Sequence, residues 1–274
     1  MSRMPVAAHA FSEAAGRWVP RGLDEGPIEL ESLTVVTQNV WFDPHEKRAR
    51  TRALLERLEG SDADLIALQE VTDDVFETLR ATEWIREEVS LVPHTSGPGR
   101  SYEVAWLSRL PVARAFELEL ESLMGRTLLV VELATTRGIV AVATVHLESE
   151  RPMRAARVAQ LEEIFDALDR YPAAVLCGDL NFDPSEPEQG ALDPAYHDAW
   201  VALHGEAAGY TEDTTRNTMR FLRKGKHKHV RYDRILGRMP GWRVDDASLF
   251  ADAPIAEDLF VSDHFGVRAR LVRR

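Results

Sequence analysis

Residues 173–181 read Ala-Ala-Val-Leu-Cys-Gly-Asp-Leu-Asn, and this stretch decides the fold class. Its first five residues are apolar and predict a buried β-strand, which the following glycine ends. Just upstream, residues 153–168 place apolar side chains at helical spacing and therefore predict an amphipathic helix. A helix that leads directly into a buried strand is typical of α/β domains, so this part of the chain predicts a mixed-sheet α/β fold.

Apolar runs and helical patterns continue on both sides of this segment. Strands alternate with helices in the first part of the chain and pair through short turns later, which again favours a mixed sheet. Neither an internal repeat nor a Pro/Gly/Ser-rich linker interrupts the pattern. We therefore predict one domain over residues 33–274, preceded by an N-terminal tail or arm at residues 1–32. The predicted strands are 33–37, 65–68, 104–107, 128–133, 139–145, 232–236 and 267–271, with helices at 48–58 and after Thr72.

The composition is that of a soluble globular protein, with 45% hydrophobic and 28% charged residues among 274. No run of eighteen apolar residues occurs, so the sequence predicts no membrane-spanning helix. The single cysteine, Cys177, excludes an internal disulfide, and residues 1–30 lack the apolar core of a signal peptide. We therefore expect a cytoplasmic protein. The net charge of −12 argues against nucleic-acid binding by the surface as a whole, although it allows a local basic groove.

Polar side chains gather at five of the predicted strand ends. Each one alone has an ordinary structural explanation, such as a turn, a solvated strand end or an ion pair. Their common position favours a functional explanation, because ligand sites in α/β sheets lie at the ends of strands. The side chains are Asn39, Glu70, His146, Ser149, Asp179, Asn181, Asp263 and His264.

Convergent carboxylates and amides indicate a particular chemistry. Their oxygens are the hard ligands that Mg²⁺ and Mn²⁺ prefer, and the absence of a cysteine cluster makes zinc less suitable. A divalent ion neutralises phosphate charge, and an aspartate can orient or deprotonate an attacking water. The pattern therefore predicts a metal-dependent enzyme that hydrolyses phosphate esters.

The order of these polar segments resembles the endonuclease/exonuclease/phosphatase superfamily. The resemblance extends to the 5′-tyrosyl-DNA phosphodiesterase branch through three further segments, at residues 198–200, 210–211 and 231–235. It implies a four-layered α/β sandwich in which two packed mixed β-sheets are flanked by helices. The segments that carry the superfamily resemblance are Thr-Gln-Asn at 37–39, Leu-Gln-Glu-Val at 68–71, His-Leu-Glu-Ser at 146–149, Gly-Asp-Leu-Asn at 178–181 and Ser-Asp-His at 262–264.

The resemblance also implies a role for each matched residue. Glu70, Asn39 and Asp263 match the residues around the metal, with Glu70 as the principal carboxylate. The remaining matches concern the water and the phosphate: Asp179 positions or deprotonates the water, Asn181 donates to the phosphate, His264 stabilises the transition state, Asp233 orients His264, and His146 and Ser149 contact the phosphate.

Three positions depart from the pattern of these relatives. Trp41 stands where an acid is common, which leaves the number of metal ions open. Asp183 replaces an arginine, and Glu212 replaces a tryptophan that helps to hold a single strand. The residues that select the substrate therefore differ more than the predicted catalytic centre does.

Eight basic side chains lie between Arg216 and Arg234, which is unusual in an acidic protein. They either form a solvated loop that offsets nearby acids or bind substrate phosphates. Because the segment leads directly into the predicted strand that carries Asp233, we favour phosphate binding. The candidate substrate-binding residues here are Arg223, Lys224, Lys226, Lys228 and Arg231.

These observations predict a Mg²⁺-dependent phosphodiesterase, with Mn²⁺ as a substitute, that acts on nucleic-acid ends. The expected partner is a single-stranded or frayed end, and removal of 5′-tyrosyl or similar adducts in repair or processing is the resulting hypothesis. One alternative is a phosphatase or phosphodiesterase of the same superfamily that acts on inositol phosphates or lipids. A second alternative is a non-catalytic binding module, which the filled catalytic positions disfavour.

Overall fold

The fold is built from short strands and helices that alternate along most of the chain. The structure, a computed structural model, describes residues 3–21, 26–93 and 102–274. The helices of these residues are α1 (Lys47–Glu59), α2 (Asp73–Ala81), α3 (Glu83–Glu88), α4 (Arg154–Asp169), α5 (Ala199–His204) and α6 (Met219–Lys224). The strands are β1 (Arg3–Val6), β2 (His9–Ser12), β3 (Arg17–Pro20), β4 (Ser32–Asn39), β5 (Leu65–Val71), β6 (Ser90–Val92), β7 (Glu103–Ser108), β8 (Arg114–Glu119), β9 (Thr127–Thr135), β10 (Gly138–His146), β11 (Ala173–Asp179), β12 (His197–Asp198), β13 (Glu212–Asp213), β14 (His229–Val230), β15 (Asp233–Arg238), β16 (Trp242–Phe250) and β17 (Gly266–Arg273).

Two large mixed sheets contain nearly all of these strands. The seven-stranded sheet has the order β1-β8-β9-β10-β11-β15-β12, and the eight-stranded sheet has the order β16-β17-β4-β5-β7-β6-β2-β3. Within them β4 and β5 are parallel, and so are β10 and β11. The remaining strands, β13 and β14, form a small separate pair.

Three hydrophobic clusters divide the molecule into four layers. One cluster lies between the two sheets and joins side chains such as Val35 and Leu65 to Val142 and Val175. A second cluster lies between the seven-stranded sheet and α4, and a third lies between the eight-stranded sheet and α1, α2 and α3. This arrangement confirms the predicted four-layered α/β sandwich. None of the described helices is long and apolar enough to cross a membrane.

The buried face of α4 illustrates how the sequence pattern produces this packing. Leu161, Ile164 and Leu168 recur at helical spacing and are fully buried against the seven-stranded sheet. Burying each such side chain contributes about 2 kcal/mol relative to leaving it in water. The helix therefore lies where its apolar stripe places it, with the following strand β11 directly beneath.

The N-terminal segment, predicted as a tail or arm, contains three short strands. In its described part, β1 pairs with β8 at the edge of one sheet, and β2 pairs with β6 and β3 at the edge of the other. Residues before Leu33 therefore extend both sheets. Each of the three N-terminal strands has only four residues, which is too few for a clear alternation of apolar and polar side chains.

The two parallel pairs determine where the polar strand ends meet. Asn39 pairs with Gln69 across β4 and β5, and His146 pairs with Asp179 across β10 and β11. Because the sheets stack face to face, these four positions lie at the same end of the sandwich. The predicted convergence of the strand ends on one edge is confirmed.

Gly178 allows the close approach of β11 and β10 at this edge. Its φ angle is +140°, and an added Cβ would lie 1.9 Å from the backbone oxygen of Val145. No other residue fits a position with both constraints. The glycine therefore fixes the backbone that presents Asp179.

Candidate active site

A cleft of about 670 Å³ opens at the end of the sandwich where the polar strand ends meet. Its floor contains the predicted catalytic centre, and its walls come from loops of both sheets. The predicted site residues that line it are Glu70, His146, Ser149, Asp179, Asn181, Asp263 and His264. Asn39 and Asp233 lie behind these residues and contact them directly.

Asp179 is the central acceptor of the floor. Asn39 Nδ2 donates to its Oδ2 atom at 3.0 Å, and the backbone N–H of Asn181 donates to its Oδ1 atom at 2.9 Å. Burial opposes ionisation, but the charge of His264 and the hydrogen bonds from Asn39 and the Asn181 backbone outweigh it and lower the pKa of Asp179. Asp179 is therefore an oriented carboxylate that can accept a proton or a hydrogen bond from water.

His264 and Asp233 form a buried hydrogen-bonded pair. The His264 Nδ1–H donates to Asp233 Oδ2 at 2.8 Å, and both side chains are almost fully buried. Burial alone would lower the pKa of His264, but Asp233, followed by Asp263 and Asp179, raises it well above 6.5. The ring therefore carries a proton near neutral pH, with Nε2–H available to a phosphate oxygen.

Glu70 and Asp263 form a second acidic group on the floor. Burial, and then the charge of Asp263, raise the pKa of Glu70 to about 7. No ion pair of the described residues involves Glu70. The nearby Arg50 directs its guanidinium to five backbone carbonyls of the surrounding loops instead. Of the two carboxylates, Asp263 lies 3.4 Å from Arg220, and a divalent metal ion would supply further positive charge to the pair.

A different group of side chains has the tightest ligand geometry. One atom from each of Asp179, Asp233 and His264 lies within 4.8 Å of the others. An ion among them would displace the proton that His264 shares with Asp233. Glu70 and Asp263, with Asn39 beside Glu70, therefore remain the candidate residues for holding a metal ion.

Three residues at this site have an unusual backbone. Trp41, Glu70 and Asn181 have φ angles of +58°, +61° and +55°, although none of them is glycine. Each such conformation costs about 1 to 3 kcal/mol, and the surrounding structure has to enforce it. The Glu70 conformation accompanies an irregularity in the pairing of β5 with β7. The strain directs these side chains into the cleft, and strain of this kind concentrates at functional sites.

Arg126 is a functional candidate that the sequence did not reveal. It is buried directly before β9, and its guanidinium lies 3.1 Å from His146 Nδ1 and 2.8 Å from Ser149 Oγ. Burial and the Arg126 charge lower the pKa of His146 to about 3, so this ring is neutral. Tyr102 lies against the guanidinium, and Phe42 stacks on Tyr102 at 4.7 Å. No motif surrounds Arg126, so only its position in the fold identifies it.

Some basic side chains of residues 216–234 line the cleft in the structure, and others do not. Arg223, Lys224 and Lys228 line the cleft, and Arg220 joins them. Lys226 is exposed and does not line it. Arg231 is also outside the cleft: its side chain is 5% exposed and lies 2.7 Å from Asp198, which also binds Arg234. Our prediction of Arg231 as a substrate contact is therefore corrected to a buried ion pair with Asp198.

The part of the chain that forms this cleft also matches a known family. Residues 36–264 match the sequence model of the Endonuclease/Exonuclease/phosphatase family. The chain belongs to this family. The predicted superfamily is confirmed.

Individual relatives agree with the predicted branch of the family. Tyrosyl-DNA phosphodiesterase 2 of Xenopus laevis is 27% identical over a 249-residue alignment, and the match covers 86% of this chain. The match covers 65% of that relative, so the chain spans less than two thirds of its length.

Solved structures show the same fold. A D. rerio TDP2 complex with a single-strand DNA product superimposes with a TM-score of 0.75 at 22% identity, covering 88% of this chain and 98% of that one. Truncated Caenorhabditis elegans TDP2 gives 0.75 at 24% identity, covering 89% and 99%. Beta toxin from Staphylococcus aureus gives 0.68 at 17% identity, covering 86% and 99%. The fold is thus shared by proteins with different names.

Proposed function

We propose that this protein is a divalent-metal-dependent phosphodiesterase that acts at the ends of nucleic-acid strands and removes 5′-tyrosyl or similar adducts. The observation that carries the proposal is the convergence of three groups on one cleft floor: Asp179 with Asn39, His264 with Asp233, and Glu70 with Asp263. Each group supplies a different requirement of phosphate-ester hydrolysis.

The water and the phosphate are held by the protein's own groups. Asp179 accepts a hydrogen bond from the attacking water and orients it toward phosphorus. His264 donates from Nε2 to a non-bridging oxygen, whose negative charge grows in the transition state, and Asp233 keeps the ring in the correct tautomer. Arg126 and Ser149 form one further polar edge of the same pocket.

Glu70 and Asp263 would hold a Mg²⁺ or Mn²⁺ ion, which neutralises phosphate charge and stabilises the leaving oxygen when bound. Their oxygen donors suit these ions, and burial, followed by the charge of Asp263, raises the pKa of Glu70, which a nearby cation would oppose. Protein residues balance this pair only in part: Arg220 lies 3.4 Å from Asp263, whereas the Arg50 guanidinium donates to backbone carbonyls.

Two observations support a nucleic-acid substrate. Arg220, Arg223, Lys224 and Lys228 place positive charge on one wall of the cleft of an acidic protein. One relative is named a tyrosyl-DNA phosphodiesterase, and one solved neighbour is a complex with a single-strand DNA product. An inositol phosphate would also meet a basic wall, so the experiment includes that class.

The test is a substrate panel with Mg²⁺ and with Mn²⁺. It compares a 5′-tyrosyl single-stranded DNA, the corresponding RNA, an abasic duplex, and phosphoinositides in vesicles. We expect release of tyrosine and a 5′-phosphate end from the adduct, with loss of activity in EDTA. Asp179→Asn serves as the inactive variant and Asp166→Asn, exposed on α4, as its matched control. Preferential turnover of phosphoinositides would overturn the proposal.

A further inference from the structure

Glu212 is a buried acid that holds two basic side chains of the cleft. Its side chain is 1% exposed, and its two carboxylate oxygens lie 2.6 Å from Arg220 Nε and 2.9 Å from Lys228 Nζ. The short pair of β13 and β14 brings Glu212 opposite Val230, two residues after Lys228, while Arg220 comes from α6. Three separate segments thus build this cluster.

The heads of both basic side chains face the cleft rather than the core. The side chains of Arg220 and Lys228 remain 34% and 29% exposed, and both line the cleft. A guanidinium has five N–H donors and an ammonium has three. In the described structure, Arg220 forms ion pairs with Glu212 and Asp263, and Lys228 forms an ion pair with Glu212. Donors of both side chains therefore remain for a ligand.

The cluster lies beside the catalytic histidine. His264 Nε2 is 4.0 Å from the Glu212 oxygen that binds Lys228. Lys228 Nζ and His264 Nε2 both lie near the same Glu212 oxygen, so the Lys228 ammonium is close to the His264 ring. The ammonium also lies 4.4 Å from the ring centre of Tyr232, which restricts its movement. An anion held here sits immediately next to a phosphate that contacts His264.

We propose that Arg220 and Lys228, positioned by Glu212, form a binding site for a second phosphate of the substrate. On a nucleic-acid strand this is the phosphate of the nucleotide adjacent to the scissile one. The inference rests on the proposed function and gives its substrate a chemical definition: a nucleotide 5′-ester whose sugar also carries a 3′-phosphate. Glu212 is a positioning residue, because it touches the two cations and not the ligand.

Burial of Glu212 explains why the site is preorganised. Flexible basic side chains lose rotamer freedom when they bind a ligand, and that loss weakens binding. Here the buried carboxylate restricts Arg220 and Lys228 before the ligand arrives. Its charge raises the pKa of Lys228 against the opposing effect of burial, so the ammonium stays protonated. The site recognises the charge of a phosphate and not the identity of a base. The aromatic ring of Tyr232, beside the cluster, is covered by the Lys228 ammonium.

The test compares two chromogenic esters that differ in one phosphate. One is the p-nitrophenyl ester of thymidine 5′-phosphate, and the other is the same ester with a 3′-phosphate. For the wild-type enzyme we expect a KM roughly tenfold lower for the 3′-phosphorylated ester, the scale of one charge-assisted contact. Lys228→Met should bring the ratio of the two KM values close to one. Lys226→Met, which alters an exposed lysine outside the cleft, is the matched control and should keep the wild-type ratio.

Glu212→Gln tests the positioning role separately. It keeps the size of the side chain but removes the charge that holds both cations. We expect the KM ratio to fall severalfold while the kcat ratio of the two esters stays unchanged. Circular dichroism of each variant establishes that it is folded.

A binding experiment separates this inference from the proposed activity. Calorimetry compares thymidine 3′,5′-bisphosphate with thymidine 5′-phosphate on the wild-type protein in the presence of Mg²⁺, where we expect roughly tenfold tighter binding of the bisphosphate. Hydrolysis of both esters with equal KM values would overturn the second-phosphate site and leave the proposed function standing. Tighter binding of the bisphosphate without hydrolysis of either ester would overturn the function and keep the site.

Discussion

The Nδ1 atom of His264 lies 2.8 Å from Oδ2 of Asp233, and neither side chain has appreciable contact with solvent. The two residues are 31 positions apart and belong to different sheets: Asp233 begins β15, and His264 precedes β17. Stacking of the sheets therefore creates the pair. If Asp233 acts only through His264, the effects of changing each residue cannot be independent.

A double-mutant cycle tests that dependence. We expect His264→Ala to lower kcat by about two orders of magnitude or more, the scale of losing a key electrostatic donor. Asp233→Asn should lower it by about tenfold or more, yet the double variant should be no slower than His264→Ala. His197→Ala, at an exposed histidine, is the control. Additive losses in the double variant would show that Asp233 has a separate role.

Asp179→Asn should lower kcat by about two or more orders of magnitude, because an amide cannot accept the proton of the attacking water. Substrate affinity should change much less, since Asp179 contacts Asn39 and the backbone of Asn181 rather than the basic wall. Single-turnover kinetics with a 5′-tyrosyl oligonucleotide provide both quantities. Near wild-type turnover in this variant would exclude Asp179 as the residue that acts on the water.

Glu70→Gln should weaken Mn²⁺ binding by about 100-fold or more and abolish metal-dependent turnover, because it removes one carboxylate of the Glu70–Asp263 pair. Isothermal titration with Mn²⁺ measures the affinity independently of activity. Glu77→Gln, at an exposed position on α2, is the matched control. Unchanged Mn²⁺ affinity would place the ion elsewhere, with Asp179, Asp233 and His264 as the next candidates.

Replacing Arg223 and Lys224 with alanine should weaken substrate binding and reduce its salt dependence. Each lost phosphate contact on a single strand should lower the slope of log affinity against log salt by about 0.7. Both side chains line the cleft, whereas Lys226 does not, so Lys226→Ala should leave the slope unchanged.

Arg231→Met should instead lower the free energy of unfolding, by about 2 kcal/mol, because it disrupts the buried pair with Asp198.

Gly178→Ala should destabilise the protein severely, by more than about 4 kcal/mol, because the added Cβ would collide with the Val145 carbonyl at 1.9 Å. Thermal or urea unfolding measures the effect. Gly190→Ala is the matched control, since its added Cβ meets nothing within 4 Å and its φ angle is not in the left-handed region. Equal stability of the two variants would contradict the close approach of β10 and β11.

Periodicity along the sequence predicted the central strands and α4, because each of these elements buries its own regular apolar pattern. It also predicted that polar residues would meet, because parallel strands direct their ends to the same edge. The strands that were not predicted are β1, β2, β3, β6, β8, β12, β13, β14 and β16. Most of them are short or lie at or next to a sheet edge, and the neighbouring strand decides whether they form.

The sequence by itself determined the α/β class, the family resemblance and the polar strand ends of the catalytic floor, since those features are encoded in local runs of residues. Only the tertiary structure decided which distant side chains meet: Arg126 with His146 and Ser149, Glu212 with Arg220 and Lys228, and Arg231 with Asp198 instead of the substrate. Arginine and lysine side chains are long and are attracted equally by any nearby acid. Their partners are therefore set by the packing of the two sheets, which no local pattern specifies.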